Sequence, residues 1–386
     1  MSEYQFYEFV AIDQPLTPRQ MAELRACSSR ASITPTSFVN EYHWSGLKGD
    51  PDDWMRRYFD AHVYVTDICV CCFMVRVPRE IFDGATLNTF ATESSIYINH
   101  SESHWIISWN LNESENHDRF CEDDGRGWMG RLIALRDELL RGDLRSLYLG
   151  WLAGVTAGEV EEGESEPQPP PGLSRLTAAQ QALVELLEID PDLVVAAANG
   201  DVGIDAESDD TDRQMDVWIA GLPADDSRQA LKLLLSGQSN RAERQLKSRF
   251  LTWQRESLAT RVTAPVLRTV ANLRELAESA EEVRRQWEAE QRIKLKAEQQ
   301  AQRDAYLRTL AADFDRCWQM LDKKAERGIA SAYDEVSRAV VDLAEAYKLC
   351  SSGQEWKYAM QCFMERHIKR GALVRRLVEA GLWKKS

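Results

Sequence analysis

An α+β domain at the N-terminus, followed by a mostly α-helical C-terminal half with a long helix and an αα-hairpin, is the fold class this chain predicts. Three observations predict it. Up to residue 111, short runs dense in Val, Tyr, Phe and Cys are punctuated by turn residues, as strands are. From Gly127 the apolar spacing lengthens to three and four residues, the period of a helix. Between the halves lies EVEEGESEPQPPPG, a run too acidic to bury itself and too proline-rich to coil.

Taken in order, Tyr4 to Asp13 reads as a strand. Thr17, Pro18 and Gln20 then supply an N-cap, a proline at the first helical position and a capping box for helix one. Ser32 to Trp44 is extended, with Pro35 marking an edge or a strand start. Asp50-Pro51 opens a short second helix. Ala61 to Thr66 and Val70 to Val77 are buried strands joined near Asp67, and Ser95 to Asn99 pairs with Trp105 to Leu111 as a hairpin. Two helices follow through Trp128, Leu132, Leu135, Leu139, Leu147 and Leu152. The expected order is βαβαββ, a hairpin, then helices.

Beyond the linker, Thr177 caps a short helix, and Pro223 to Leu235 and Asn240 to Leu258 are helical by pattern. A long helix begins near Ala264-Pro265. Val266, Leu273, Ala280 and Trp287 recur every seven residues, with Leu276 and Val283 between them, which predicts a short coiled-coil seam. Its continuation is charged all round, and the helix from Ala264 to Leu310 would span roughly 70 Å. Ser331 to Leu349 and Gln354 to Lys369 form the hairpin, turned at Ser351-Ser352-Gly353. The expected division is an α+β domain over 1–157, a linker over 158–173, a helical region with an acidic loop over 174–262, the long helix over 263–311 and a helical hairpin domain with a basic tail over 312–386.

The net charge of −15 is concentrated in one place. Gly158 to Asp226 carries 18 Asp/Glu and two basic residues, whereas Glu355 to Ser386 carries eight Lys/Arg and three Glu. An acidic chain is a poor unaided ligand for nucleic acid, so any such contact would be indirect or made through the basic tail. No apolar run of eighteen residues spans a membrane, and the first residues lack the pattern of an export signal. With eight irregularly spaced cysteines, the expectation is reduced thiols in a cytoplasm.

No catalytic or cofactor motif is present, and no catalytic residue or cofactor is assigned. His100, His104, His117 and Cys121 have zinc-ligand chemistry, spaced H-x3-H and H-x3-C. The first two flank a polar hairpin turn and the third lies in the loop NESENHDRF, so no metal is expected. Among Cys69, Cys71 and Cys72, period two sets the first pair against the third, which suits core packing. The polar-aromatic stretch from Ser28 to Trp44 has the composition of a binding surface, with Arg30, Thr36, Phe38, Tyr42, His43 and Trp44 as candidates. Arg370, Arg375 and Arg376 in the basic tail are the other candidates, as a docking surface for an acidic partner or a phosphate backbone.

The runs YEFVAIDQPLTPRQMAELR, SSRASITPTSFVNEY, KGDPDDWMRRYFDAHVYV and GDLRSLYLGWL resemble a family of uncharacterised bacterial proteins. The PPPGL linker and the Tyr-Asp-Glu helix share the likeness. Members of that family are noted near genes for SWIM-type zinc-finger proteins, which implies such a protein as a partner and implies no activity. Ala332, Tyr333, Ala339, Leu343, Ala346 and Tyr347 also resemble one tetratricopeptide-type helical unit, which needs neighbours to make an array. The expectation is a non-enzymatic adaptor or scaffold that binds other proteins of its system. The rival is an enzyme with Arg30, His43 or His62 in an N-terminal active site.

Overall fold

The computed structural model describes residues 4–114, 125–199, 208–237 and 268–384, together with 242–243, 245–246, 249–250 and 253. The chain divides into two compact units, Met1–Glu282 and Val283–Ser386.

The first unit is built on a seven-stranded antiparallel sheet. Its strands are β1 (Tyr4–Val10), β2 (Ser32–Thr34), β3 (Ser37–His43), β4 (Ala61–Thr66), β5 (Cys71–Pro78), β6 (Ile96–His100) and β7 (His104–Leu111). They lie in the order β2-β3-β1-β4-β5-β7-β6. The expected strands are all present, and Ser32 to Trp44 is a hairpin whose short β2 forms one edge of the sheet. Alternation then sorts the side chains between two faces.

One face carries Val63, Phe73, Val75, Ile107 and Trp109. It packs against α4 (Trp128–Leu132), α5 (Ala134–Leu140), α6 (Arg145–Thr156), α7 (Ala178–Leu186) and α8 (Pro191–Ala198). Helix α6 rests directly on the sheet because Gly150 has no side chain; a Cβ there would stand 2.7 Å from the Trp109 ring. The opposite face carries Phe9 and Phe38 beneath α1 (Pro18–Cys27) and α2 (Pro51–Arg57). Both helices begin as their residues dictate: Thr17 and Gln20 close a capping box, and Asp50 caps α2 ahead of Pro51. A one-and-a-half-turn helix that the apolar pattern does not announce, α3 (Gly84–Asn88), is capped by Asp83.

The stretch from 158 to 173 does not behave as an open spacer. Val160 and Leu173 are buried, Glu159 binds Ser94 and Ser95, and Ser165 bridges to Thr269. Glu166 is 1% exposed and accepts a two-point contact from Arg268 at 2.7 and 2.8 Å as well as the Tyr148 hydroxyl. Buried hydrogen bonds therefore outweigh the composition that suggested a free linker. Arg268 also donates to the Ala196 and Ala197 carbonyls at the end of α8, a position that suits a cation. Helices α9 (Ser208–Ala220) and α10 (Ala224–Leu235) follow, the latter as the pattern expects.

Helix α11 (Val270–Ala311) runs for 42 residues. The expected start at Ala264-Pro265 lies outside the described residues, as does Val266. Its buried face is Val270, Leu273 and Ala277, which join the first unit's core. Of the expected heptad positions, Leu273 is buried, whereas Val283 and Trp287 are 67% and 60% exposed. The apolar stripe thus leaves the core after about two turns, and nothing among the described residues packs a coiled-coil seam on it.

The second unit continues α11 into α12 (Phe314–Glu326), α13 (Ala330–Cys350), α14 (Gly353–His367) and α15 (Gly371–Glu379). Ser352 caps α14 at the expected hairpin turn. Trp318, Leu321, Val336, Val340, Leu343, Phe363 and Leu373 form its core. No helix among the described residues is long and apolar enough to cross a membrane.

Candidate functional site

On the α1/α2 face of the sheet, α1 lies against β2 and α2 against β4, β5 and β7, and a concave surface opens beside the start of α2. Strand register sets two rows of side chains there. Tyr7 stands opposite Tyr64, Tyr64 opposite Cys72, and Cys72 opposite Asn110. In the adjacent row, His62 faces Met74, Met74 faces Ser108, and Ser108 faces Tyr97. These rows floor a cavity of about 500 Å³, closed at its sides by Pro51-Asp52 at the start of α2 and by Glu93-Ser94. That volume lies within the usual range of small-ligand sites.

His62 is 1% exposed and stacks on Phe9 with ring centroids 3.8 Å apart. Its Nδ1 lies 3.0 Å from the Glu8 carbonyl oxygen. A carbonyl only accepts, so Nδ1 carries the proton and Nε2 keeps a lone pair. Burial, partly offset by the hydrogen bond to Glu8, pushes the His62 pKa down to about 3, so the ring is neutral at physiological pH. Burial pushes the Tyr7, Tyr64 and Cys72 pKa values up, and those groups keep their protons. Asp52 is raised as well, first by burial and then by the charge of Asp50. Its Oδ1 is buried with no hydrogen-bond partner.

A second concave surface lies in the helical unit, a groove of about 770 Å³ between α12, α13 and α14. Phe314 stacks on Tyr347 at 3.7 Å, and the Trp318 indole N–H donates to the Tyr347 hydroxyl at 3.2 Å. Tyr358 stands on its rim, 74% exposed, with Asp313, Asp315, Glu355 and Arg366 around it.

The residues expected to bind are distributed differently. Phe38 is fully buried between Phe9 and Trp54, so it is a core residue and cannot contact a partner. Arg30 and Thr36 are exposed, and Thr36 sits in the β2–β3 turn. Tyr42 packs edge-on to Tyr7 at 5.7 Å, with its hydroxyl buried and unbonded. His43 tilts against Tyr4, and Trp44 is 78% exposed at the end of β3 with a φ of 62°. In the tail, Arg376 pairs with Asp334 and Arg370 donates to the Tyr333 hydroxyl, which leaves Arg375 exposed.

His100 lies edge-on to Trp105, and the His104 Nδ1 meets the Ser103 hydroxyl; His117 and Cys121 lie outside the described residues. No group of three or more His, Cys, Asp or Glu among the described residues could hold a metal ion. Cys71 packs in the core while Cys72, on the other face, floors the cavity. Of the rival enzyme's three residues only His62 lines that cavity. Compared with family models, curated proteins and solved structures, the chain matches none.

Proposed function

We propose that the protein is a non-enzymatic adaptor or scaffold whose helical unit holds a partner segment in the groove between α12, α13 and α14. The observation that carries this reading is the groove's makeup. Stacked, rigid aromatics lie at its base and an exposed tyrosine stands on its rim, the anchors through which protein interfaces gain most of their affinity. Three carboxylates against one arginine favour a segment that pairs an apolar anchor with basic residues. The sequence resemblance points to a SWIM-type zinc-finger protein as that partner. Nucleic acid would be contacted indirectly or through the basic tail.

An enzyme is the weaker reading. A nucleophile needs a lowered pKa or an adjacent base to activate it. Around His62, burial holds the phenols and the thiol protonated instead. Affinity purification of the tagged full-length chain, beside Tyr358→Ala and Asp315→Lys variants, tests the adaptor reading. A partner retained by the parent and lost by both variants is the expected result. An identical set of proteins with all three chains overturns it.

A further inference from the structure

The cavity over β4 to β6 has a charge balance that selects its occupant. Two carboxylates, Asp52 and Glu93, stand at its sides, and among the described residues no lysine or arginine lines it. Asp52 makes no ion pair among the described residues, and Arg56, whose charge partly offsets it, is exposed on the next turn of α2. An anion would therefore meet net negative charge in a half-buried space, where repulsion is screened less than at the surface. A neutral apolar body alone would leave the buried Asp52 Oδ1 without a partner, with only Arg56 and the Asn99 side chain to offset the carboxylate.

The remaining walls complete the chemistry. Tyr7, Tyr64 and Tyr97 contribute aromatic rings, whose negative faces attract cations within about 6 Å. His62 also lines the cavity and, since its ring is neutral, repels no positive charge. Met74 supplies a polarizable apolar floor. We propose that this cavity binds a small organic cation, an amine or a quaternary ammonium carrying an apolar body. The site is separate from the groove of the helical unit, and the proposal does not depend on the adaptor reading.

The test titrates the full-length protein calorimetrically with choline and benzylamine, and with their neutral isosteres, dimethylbutanol and benzyl alcohol. Each cation should bind saturably to one site, and each isostere at least about tenfold more weakly, as loss of a cation–π and carboxylate contact implies. Asp52→Asn should weaken both cations about tenfold and leave benzyl alcohol unchanged. The Met74 methyl resonance should move on titration while that of Met364, in the helical unit, stays still. If Asp52→Asn fails to fold, Glu93→Gln at the exposed rim gives the same comparison. Benzyl alcohol binding as tightly as benzylamine, cation affinity indifferent to these substitutions, or no saturable heat with either cation at millimolar concentration each overturns the proposal.

Discussion

The two units differ in how much charge they bury. In the sheet unit, Asp60 is fully buried, accepts the Ile12 and Asp13 amides, and pairs with Arg76 at 2.7 Å. Arg136, 3% exposed, reaches the same node and Asp13. Glu166 and Arg268 form a second such node. In the helical unit most pairs lie nearer the surface, as Lys324–Glu335 does; one buried polar pair is His367 with Asp322 at 2.8 Å, beside a core that is otherwise aromatic and aliphatic. The difference follows from topology. An apolar helical stripe selects its neighbour by spacing alone, whereas segments far apart in a sheet protein need a specific polar contact to fix which of them meet.

Breaking a buried node should therefore have the largest effect. Glu166→Ala strands the Arg268 guanidinium and the Tyr148 hydroxyl, and should cost the sheet unit about 3–5 kcal/mol. Replacing both Glu166 and Arg268 with Met should recover much of that loss, since two apolar side chains leave no unpaired charge. Hydrogen exchange of β4 and β5 amides, against those of α13, separates the units. Equal acceleration in both, or a loss below about 1 kcal/mol, would contradict this difference between the units.

How much of this was legible follows the same division. Thr17 with Gln20, Asp50 before Pro51 and Thr177 announce their helices because a cap is a local event within four residues. The α13–α14 turn and the stripe through Val336, Val340 and Leu343 are local too. Glu166 was not legible. It sits among similar glutamates, and its partner is 102 residues away. Phe38 carried the composition of a surface because its neighbours are polar, yet its place on the inner face of β3 buries it. The cavity was half visible. His62, Tyr64, Cys72 and Met74 alternate onto one face by period two, but only the strand order brings Ser108 and Tyr97 beside them.

A pH titration should sharpen the contrast by a smaller amount. Burial raises the Glu159 pKa, but hydrogen bonds from Ser94 and Ser95 outweigh it and bring the carboxyl from its ordinary 4.5 down to about 2. A carboxylate lowered on folding adds stability that is fully present above its unfolded pKa and drains as pH falls through the folded one. The stability advantage of the parent over Glu159→Gln should thus shrink between pH 4.5 and 2. Its size is about 1–2 kcal/mol once solvent screening of this partly exposed group is allowed for. Urea midpoints measured across that range check it. An advantage independent of pH would mean that the serine contacts do not hold Glu159 in solution.

The smallest effect separates neighbours on α15. Arg376 ties this helix to α13 through Asp334, with Nε 2.5 Å from the carboxylate, and Arg370 reaches the Tyr333 hydroxyl at 3.4 Å. Arg375, one residue from Arg376, is turned to solvent. Exposed pairs contribute little, because water screens them and long side chains lose freedom in forming them. Arg376→Ala should therefore lower the melting temperature of the helical unit slightly, while Arg375→Ala leaves it unchanged. Binding should divide the other way: if an acidic partner docks on the tail, Arg375→Glu weakens it in a salt-dependent manner without a change in melting temperature. A melting temperature lowered equally by Arg375→Ala would show that both arginines serve the fold and that this face of α15 offers no free charge to a partner.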